Sequence, residues 1–403
     1  MRIFFEKIKT YRLNIFKRVF LEVYIILTYP IFFLIALLLK ILNIKMLNIV
    51  YVNAIGHYML EPECFIRENL SQLKQKYKNI FFLAPKSEVC NTYATVLWKE
   101  YFTVFESNII CFLLKPLSRQ RICKCDIYEY VMKENNTVKC FKIFNDTYHL
   151  DTLHKLNSKV EEKCRKKLKK INITAEDWFV VLHTRDPYYR NHKEKTIRDT
   201  DIGSYKLAIN EIVSRGGKVI RMGTKGTRID LKGINIIDYP NSDLKSEEMD
   251  FYLCANAKLA IVCTSGLAVI PAIFKTPILY TNTIPMGNSL PLQPGAITIP
   301  KLLFSKKYNR KLTFKESLDY PLGNAITNTP YKDNDIDVID NTAEDIRDGL
   351  LETFQRVDKT YKESEEKKLL QKKFKTYIRK GHYSFGSGGF VSGEFLRKNM
   401  NLL

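Results

Sequence analysis

The 403-residue sequence predicts an α/β chain of two Rossmann-like lobes facing a cleft, behind an N-terminal hydrophobic, membrane-associated segment. Three observations predict it. Short β-branched or aliphatic runs alternate with longer stretches of helical period, as in parallel sheets flanked by helices. The alternation is interrupted once, near residue 170, by a lysine-dense helical stretch ending in CRKKLKK. Before both halves lies VYIILTYPIFFLIALLL, Val23–Leu39, a run without a charge. Length and composition agree, because 45% apolar, 12% aromatic and 27% charged residues exclude both a single small module and global disorder.

The elements follow in order. Residues 1–45 form the basic and hydrophobic segment: Lys7, Lys9, Arg12, Lys17 and Arg18 lead into the apolar run, which Lys40 and Lys45 close. The run just reaches spanning length, but Pro30 interrupts it and bases flank both ends, so a spanning helix, a kinked or monotopic anchor and a buried core helix all stay open. No small-residue cleavage site follows, which argues against a secretory signal. The first lobe, 46–170, reads as strands Leu47–Asn53, Ile80–Ala84 and Asn108–Leu114, with helices near Tyr58–Lys76, Asn91–Tyr101 and Ser118–Lys133. A helix over Leu150–Lys170 leads to the interdomain link, where Thr174 with Asp177 forms a boundary signal. The second lobe, 171–345, opens with DWFVVLH and continues through a helix at Ser204–Arg215 and strands KVIRMG and INIIDY. A helix at Ser246–Ala257, strand LAIVC, a TSG turn into helix LAVIPAIF, and strand PILYT follow. Residues 346–403 form C-terminal helices and a tail.

Charge points to anionic surroundings, with 64 Lys and Arg against 43 Asp and Glu, a net +21. No nucleic-acid module motif accompanies it, so nucleic acid is not expected as a partner. Nine cysteines, an odd number spread through core-like segments, read as reduced thiols. Cys123 and Cys125 lack the spacing of a zinc site.

In such a fold a ligand lies outside the carboxyl ends of the strands, so the loops there hold the candidates. HTRDPYYR, His183–Arg190, follows the apolar run Trp178–Leu182. His183 and Arg185, two apart on an extended chain, point to one face and can converge on a phosphate. The plain alternative pairs Arg185 with Asp186 or another acid and sets His183 on a backbone carbonyl. At TSGLAVIPAIF, small residues Thr264, Ser265 and Gly266 join a buried strand to a helix, and their amides and hydroxyls suit an anion. Ordinary N-capping by Ser265 is the alternative. In NAIGHYMLEPE, Asn53–Glu63, Gly56 permits the turn and His57 opens a helix. Imidazoles titrate close to neutrality, so His57 can remove a proton from an acceptor hydroxyl, with Glu61 one helical turn on to orient the ring. Glu61 and Glu63 are the alternative bases. Arg221 and Gly223, ending the next strand, and Tyr239 with Asp238 are second-rank candidates for nucleotide contacts.

Three signals are discounted. Asp199–Asp201, Asp333–Asp335 and the overlapping Asp335–Asp337 match the Asp-x-Asp pattern of a divalent site, but Asp201 stands where a cap is needed. GHYSFGSGG follows no strand and reads as a surface loop. EEKKLLQKKFK, Glu365–Lys375, reads as a solvated or membrane-facing helix. No metal or other cofactor is expected.

IGHYMLEPE, VVLHTRDPYYR, RGGKVIRMG, IIDYPNSDLKSEEMDFYLCANA, TSGLAVIPAIFKTPILYTN and IPKLLF with LTFKESL, in this order across roughly residues 47–403, resemble a family of bacterial glycosyltransferases found with surface-polysaccharide genes. The resemblance implies a GT-B-like architecture, with an N-terminal acceptor lobe and a C-terminal nucleotide-sugar donor lobe. The His-x-Arg element resembles that of fucosyltransferase-type enzymes, whose arginine contacts the donor pyrophosphate, and Arg185 is the matching position. His57 matches by location the histidine base of several GT-B enzymes. The expectation is a membrane-associated glycosyltransferase at the cytoplasmic face of the inner membrane. It would take a nucleotide sugar and pass the sugar to a glycan or lipid-linked acceptor, without metal and with inversion. An epimerase or isomerase of nucleotide sugars and a non-catalytic polysaccharide-binding scaffold are the alternatives.

Overall fold

The computed structural model describes residues 2–70, 79–127, 152–185, 195–226, 230–291, 293 and 295–403. The chain is mixed α/β and divides into two compact units, residues 1–61 with 72–130, and residues 62–71 with 131–403. The lysine-dense helix, Ser158–Lys169, falls in the second unit, where it packs on the helix Glu247–Asn256.

In the first unit, α1 (Arg2–Ile41) continues through Pro30 and leads into β1 (Lys45–Asn48). Then come α2 (Ile55–Leu70), which runs on into the second unit, β2 (Ile80–Leu83), α3 (Thr92–Trp98), β3 (Thr103–Phe105), α4 (Asn108–Leu114) and β4 (Lys124–Asp126). The four strands make a parallel sheet in the order β3-β2-β1-β4. The order reverses between β1 and β4, where the Asn48 amide donates to Asp126 Oδ1 at 2.7 Å.

Three expectations for this unit are corrected. Asn108–Leu114 is a helix, not a strand: Ser107 caps it by accepting from the Ile110 amide, and a short apolar run carries no period that separates the two states. The strand expected at Leu47–Asn53 ends at Asn48 and gives way to turns. In place of a helix over Ser118–Lys133 there is a 3-10 turn, Lys115–Arg119, followed by β4; residues 128–133 lie outside the described residues.

The second unit is built on β5 (Phe179–His183), β6 (Lys218–Arg221), β7 (Leu259–Val262), β8 (Ile278–Thr283) and β9 (Ile297–Pro300). A small antiparallel sheet of β10 (Leu302–Ser305), β11 (Arg310–Lys311) and β12 (Ile336–Ile339) follows, and β13 (Phe390–Val391) joins the larger sheet at its edge. The large sheet is parallel in the order β13-β9-β8-β7-β5-β6. β5 and β7 are buried through Phe179–Leu182 and Leu259–Val262, the near-continuous apolar run expected of strands covered on both faces. Their registry pairs Leu182 with Ile261 and His183 with Val262. Val180, Leu182, Ile209, Ile261, Leu279 and Ile299 belong to one core cluster that holds the helices on this sheet. From β5 the chain goes to β6 on one side, then returns to β7 on the other. The topological switch point therefore lies between β5 and β7.

INIIDY forms one parallel bridge, Ile220 to Ile237, instead of a strand. The helix expected at LAVIPAIF is a 3-10 turn, Gly266–Ala268, and a single short helix, Val269–Ile273. GHYSFGSGG is not a surface loop. His382 is buried and donates through Nε2 to the Leu318 carbonyl, Ser384 and Ser387 are buried, and a Cβ on Gly389 would overlap Pro291. The helix Glu365–Tyr377 turns Gln371 and Phe374 into the core and leaves its lysine-rich face outside.

Candidate functional site

Two segments that the sequence singled out separately meet at the switch point. β5 ends at His183, which pairs with Val262 at the end of β7, so the registry sets the imidazole beside the TSG turn that follows Cys263. His183 Nδ1 lies 3.3 Å from the Met222 carbonyl, and Nε2 lies 2.9 Å from Ser265 Oγ. A carbonyl only accepts, so Nδ1 carries the proton and Nε2 takes the hydrogen bond of the serine hydroxyl. Burial pushes the imidazole down to about 4, against the Met222 carbonyl and with Arg185, Arg221 and Lys245 adding to the depression. The ring is neutral at physiological pH.

Ser265 sits at the N-cap position of the 3-10 turn, yet its hydroxyl makes no capping bond. It is spent on His183, which sets aside the capping alternative. Thr264 Oγ1 accepts the Ile284 amide at 3.1 Å, and Gly266 is exposed at the mouth of the turn. The helix behind it is only Val269–Ile273, so its dipole adds little to what the hydroxyls and amides offer.

Arg185 does not converge with His183 as an open pair. It is 8% exposed, its Nε lies 3.2 Å from Asp199 Oδ1, and its amide donates to the Cys263 thiol at 3.2 Å. Burial pushes that thiol up to about 11. Asp199 accepts the Thr196 amide at 2.6 Å, and the buried Lys301 ammonium donates to the Ile197 and Asp199 carbonyls. The alternative in which Arg185 pairs with an acid is realised, with Asp199 as the partner; Asp186, like the rest of residues 186–190, lies outside the described residues. The first Asp-x-Asp motif thereby resolves into an ion pair at Asp199 and a cap at Asp201, which accepts the Gly203 amide. Among the described residues no three His, Cys, Asp or Glu side chains gather in a way that would hold a metal ion.

The second-rank candidates are turned inward. Arg221 is 2% exposed and grips Asp238 Oδ1 through Nε at 2.7 Å. Tyr239 is buried, its hydroxyl 2.7 Å from Asp250 Oδ1 and 3.0 Å from the Ser246 carbonyl. Gly223, at φ +157°, carries the chain away from the end of β6.

In the first unit, His57 stands in the first turn of α2 with Nδ1 2.7 Å from Glu61 Oε1. The ring is 43% exposed and rests on Tyr51 at 4.8 Å, while Glu61 is 2% exposed. The contact with Glu61 fixes the plane of the ring. Glu63, offered as an alternative base, is fully buried: Arg67 Nε donates to Oε1 at 2.8 Å and His154 Nε2 lies 2.9 Å from Oε2. Burial pushes this carboxyl up, but Arg67 and His154 outweigh that and hold it below the usual range. Sequence reading missed this network and the Met222 carbonyl. Only the i, i+4 spacing of Glu63 and Arg67 carried a signal.

No family model matches the chain, and no curated protein matches it. Among solved structures, the chain is similar to Escherichia coli ADP-heptose LPS heptosyltransferase II at 10% identity, covering 59% of this chain and 84% of that one with a TM-score of 0.39. It is also similar to a glycosyl transferase family 9 protein from Veillonella parvula DSM 2008, at 11% identity, 59% and 64% coverage and a TM-score of 0.30.

Proposed function

We propose that the protein is a glycosyltransferase at the cytoplasmic face of the inner membrane, moving a sugar from a nucleoside-diphosphate donor onto a glycan or lipid-linked acceptor in bacterial surface-polysaccharide synthesis. One observation carries the reading: at the switch point of a parallel sheet, His183 and the Thr264–Gly266 turn come from adjacent strands and are tied by one hydrogen bond. The support lies in this chain's own residues. A turn of small, hydroxyl-bearing residues lets a diphosphate approach the backbone, and a neutral imidazole fixes the serine without adding charge that would hold the product.

In the proposed reaction the acceptor oxygen attacks the anomeric carbon as the bond to the diphosphate breaks. Charge develops on the leaving diphosphate, where the Thr264 hydroxyl and the Ser265 and Gly266 amides donate hydrogen bonds and Arg185, oriented by Asp199, supplies positive potential. His57, its ring oriented by Glu61, takes the proton of the acceptor hydroxyl. Such a displacement proceeds without a metal and inverts the anomeric centre. The test offers isotope-labelled nucleotide sugars with acceptor-bearing membranes: label transferred into glycan supports the reading, and intact donor after prolonged incubation overturns it.

A further inference from the structure

We infer that the first unit docks on an anionic lipid surface with α1 lying in the plane of the bilayer and α4 sharing the contact. The inference is independent of the transfer reaction, because it needs neither donor nor acceptor.

The stretch Arg18–Ile41 is long and apolar enough to cross a membrane, with a mean hydropathy of 2.2. Its surroundings decide against crossing. Ile25, Phe32 and Ala36 are buried, Ile35 and Leu39 partly so, a stripe at helical spacing. Phe32 and Ala36 pack with Met46, Phe81 and Leu83 of β1 and β2 and with Leu117. These contacts lie in the middle and second half of the apolar run. A crossing helix would therefore carry the sheet, with its short strands and polar loops, to bilayer depth, where unpaired backbone groups are expensive.

The opposite stripe is exposed and wholly apolar at Phe20, Val23, Leu27, Ile31, Leu34 and Leu38. α4 extends it sideways. Phe112 stacks on Tyr24 at 5.1 Å and on Phe20 at 6.2 Å, and the Tyr24 hydroxyl donates to the Leu113 carbonyl at 3.0 Å. On the outer side of α4, Ile109 is 72% and Leu113 48% exposed. One apolar surface thus spans two elements whose other sides are already satisfied.

Charge identifies the occupant as lipid. The first 45 residues hold eight bases and two acids. Exposed Arg18 and Lys40 stand at the two ends of the apolar run, and exposed Lys115 and Arg121 follow α4. Apolar side chains between cations match acyl chains beneath anionic headgroups, with each base near the surface adding about 1 kcal/mol.

The experiment uses the full chain and vesicles of phosphatidylethanolamine with phosphatidylglycerol, their acyl chains brominated at either a shallow or a deep position. Leu34→Trp and Ile109→Trp report depth at two exposed sites. Docking in the plane requires both tryptophans to be quenched to within about twofold of each other, more strongly by the shallow bromines, and requires binding to fall about tenfold or more when phosphatidylglycerol is replaced by phosphatidylcholine. Deep quenching of Leu34→Trp with none of Ile109→Trp would show a crossing helix and overturn the proposal. Leu27→Glu and Ile109→Glu, on exposed sites that leave the fold intact by circular dichroism, should each weaken vesicle binding about tenfold. Unchanged binding by both, or self-association without vesicle binding, equally overturns it.

Discussion

Ser265 Oγ lies 2.9 Å from His183 Nε2, and this bond joins the ends of two neighbouring parallel strands from positions 82 apart in the chain. His183 is in turn fixed by the Met222 carbonyl at the end of the next strand. The serine is thereby held in one orientation at the switch point between β5 and β7.

Removing either partner should cost donor binding before it costs the fold. Ser265→Ala deletes the bond that fixes the turn against His183, an expected loss of about 1 kcal/mol, or about fivefold in nucleoside-diphosphate affinity. Its melting temperature should stay within a few degrees of the parent, since the hydroxyl caps no helix. Titration calorimetry with the diphosphate measures the first quantity and a melting scan the second.

The half-buried imidazole also sets a pH dependence. Its folded value of about 4 lies below the ordinary 6.5, so between those values the unfolded chain binds the extra proton. The contribution of His183 to stability is present above about 6.5 and is lost as pH falls toward 4, on the order of 3 kcal/mol in all. His183→Gln should flatten that part of the stability-against-pH curve in urea unfolding. A variant whose curve keeps the parent's slope would place the acid sensitivity elsewhere.

How much of this was legible in the sequence depends on what each segment's pattern encodes. FVVLH and LAIV read as buried strands because an unbroken apolar run flanked by turn residues has few other uses, and the two candidate loops follow from that. NIICFLL was misread because β-branched composition outweighed the one local signal, Ser107 before the run, that marks a helix start. Arg185 pairs with Asp199 where the Thr200 amide donates to the Arg185 carbonyl at 2.9 Å, and no local spacing announces that. GHYSFGSGG looked like a surface loop because small polar residues are ambiguous: glycines that turn in solvent also allow close packing, as Gly389 does against Pro291.

His57 and Glu61 should separate turnover from donor binding. His57→Ala is expected to lower kcat by about a hundredfold or more while leaving the dissociation constant for the nucleoside diphosphate unchanged. Glu61→Gln should lower kcat less, since a carboxamide still accepts from Nδ1. Steady-state rates beside calorimetric affinities check both, and a parallel loss of affinity would assign His57 to the donor instead.

Glu63, Arg67 and His154 should behave as a unit of stability. Glu63→Ala leaves the Arg67 guanidinium, 1% exposed, without its carboxylate, an expected loss of about 3–5 kcal/mol. Glu63→Gln should cost less, and Glu63→Ala with Arg67→Met together should recover part of the loss. Urea midpoints of the three variants decide it.

The most direct test is a thermal-shift titration of the full chain with UDP, GDP, CDP and dTDP, repeated on His183→Leu. A diphosphate present at about a hundred times its dissociation constant stabilises the folded chain by about 2.7 kcal/mol. One of the four should therefore raise the parent's midpoint by several degrees and move the His183→Leu midpoint far less. Four flat responses from the parent, or an equal rise in both proteins, would contradict a diphosphate site built on His183 and Ser265.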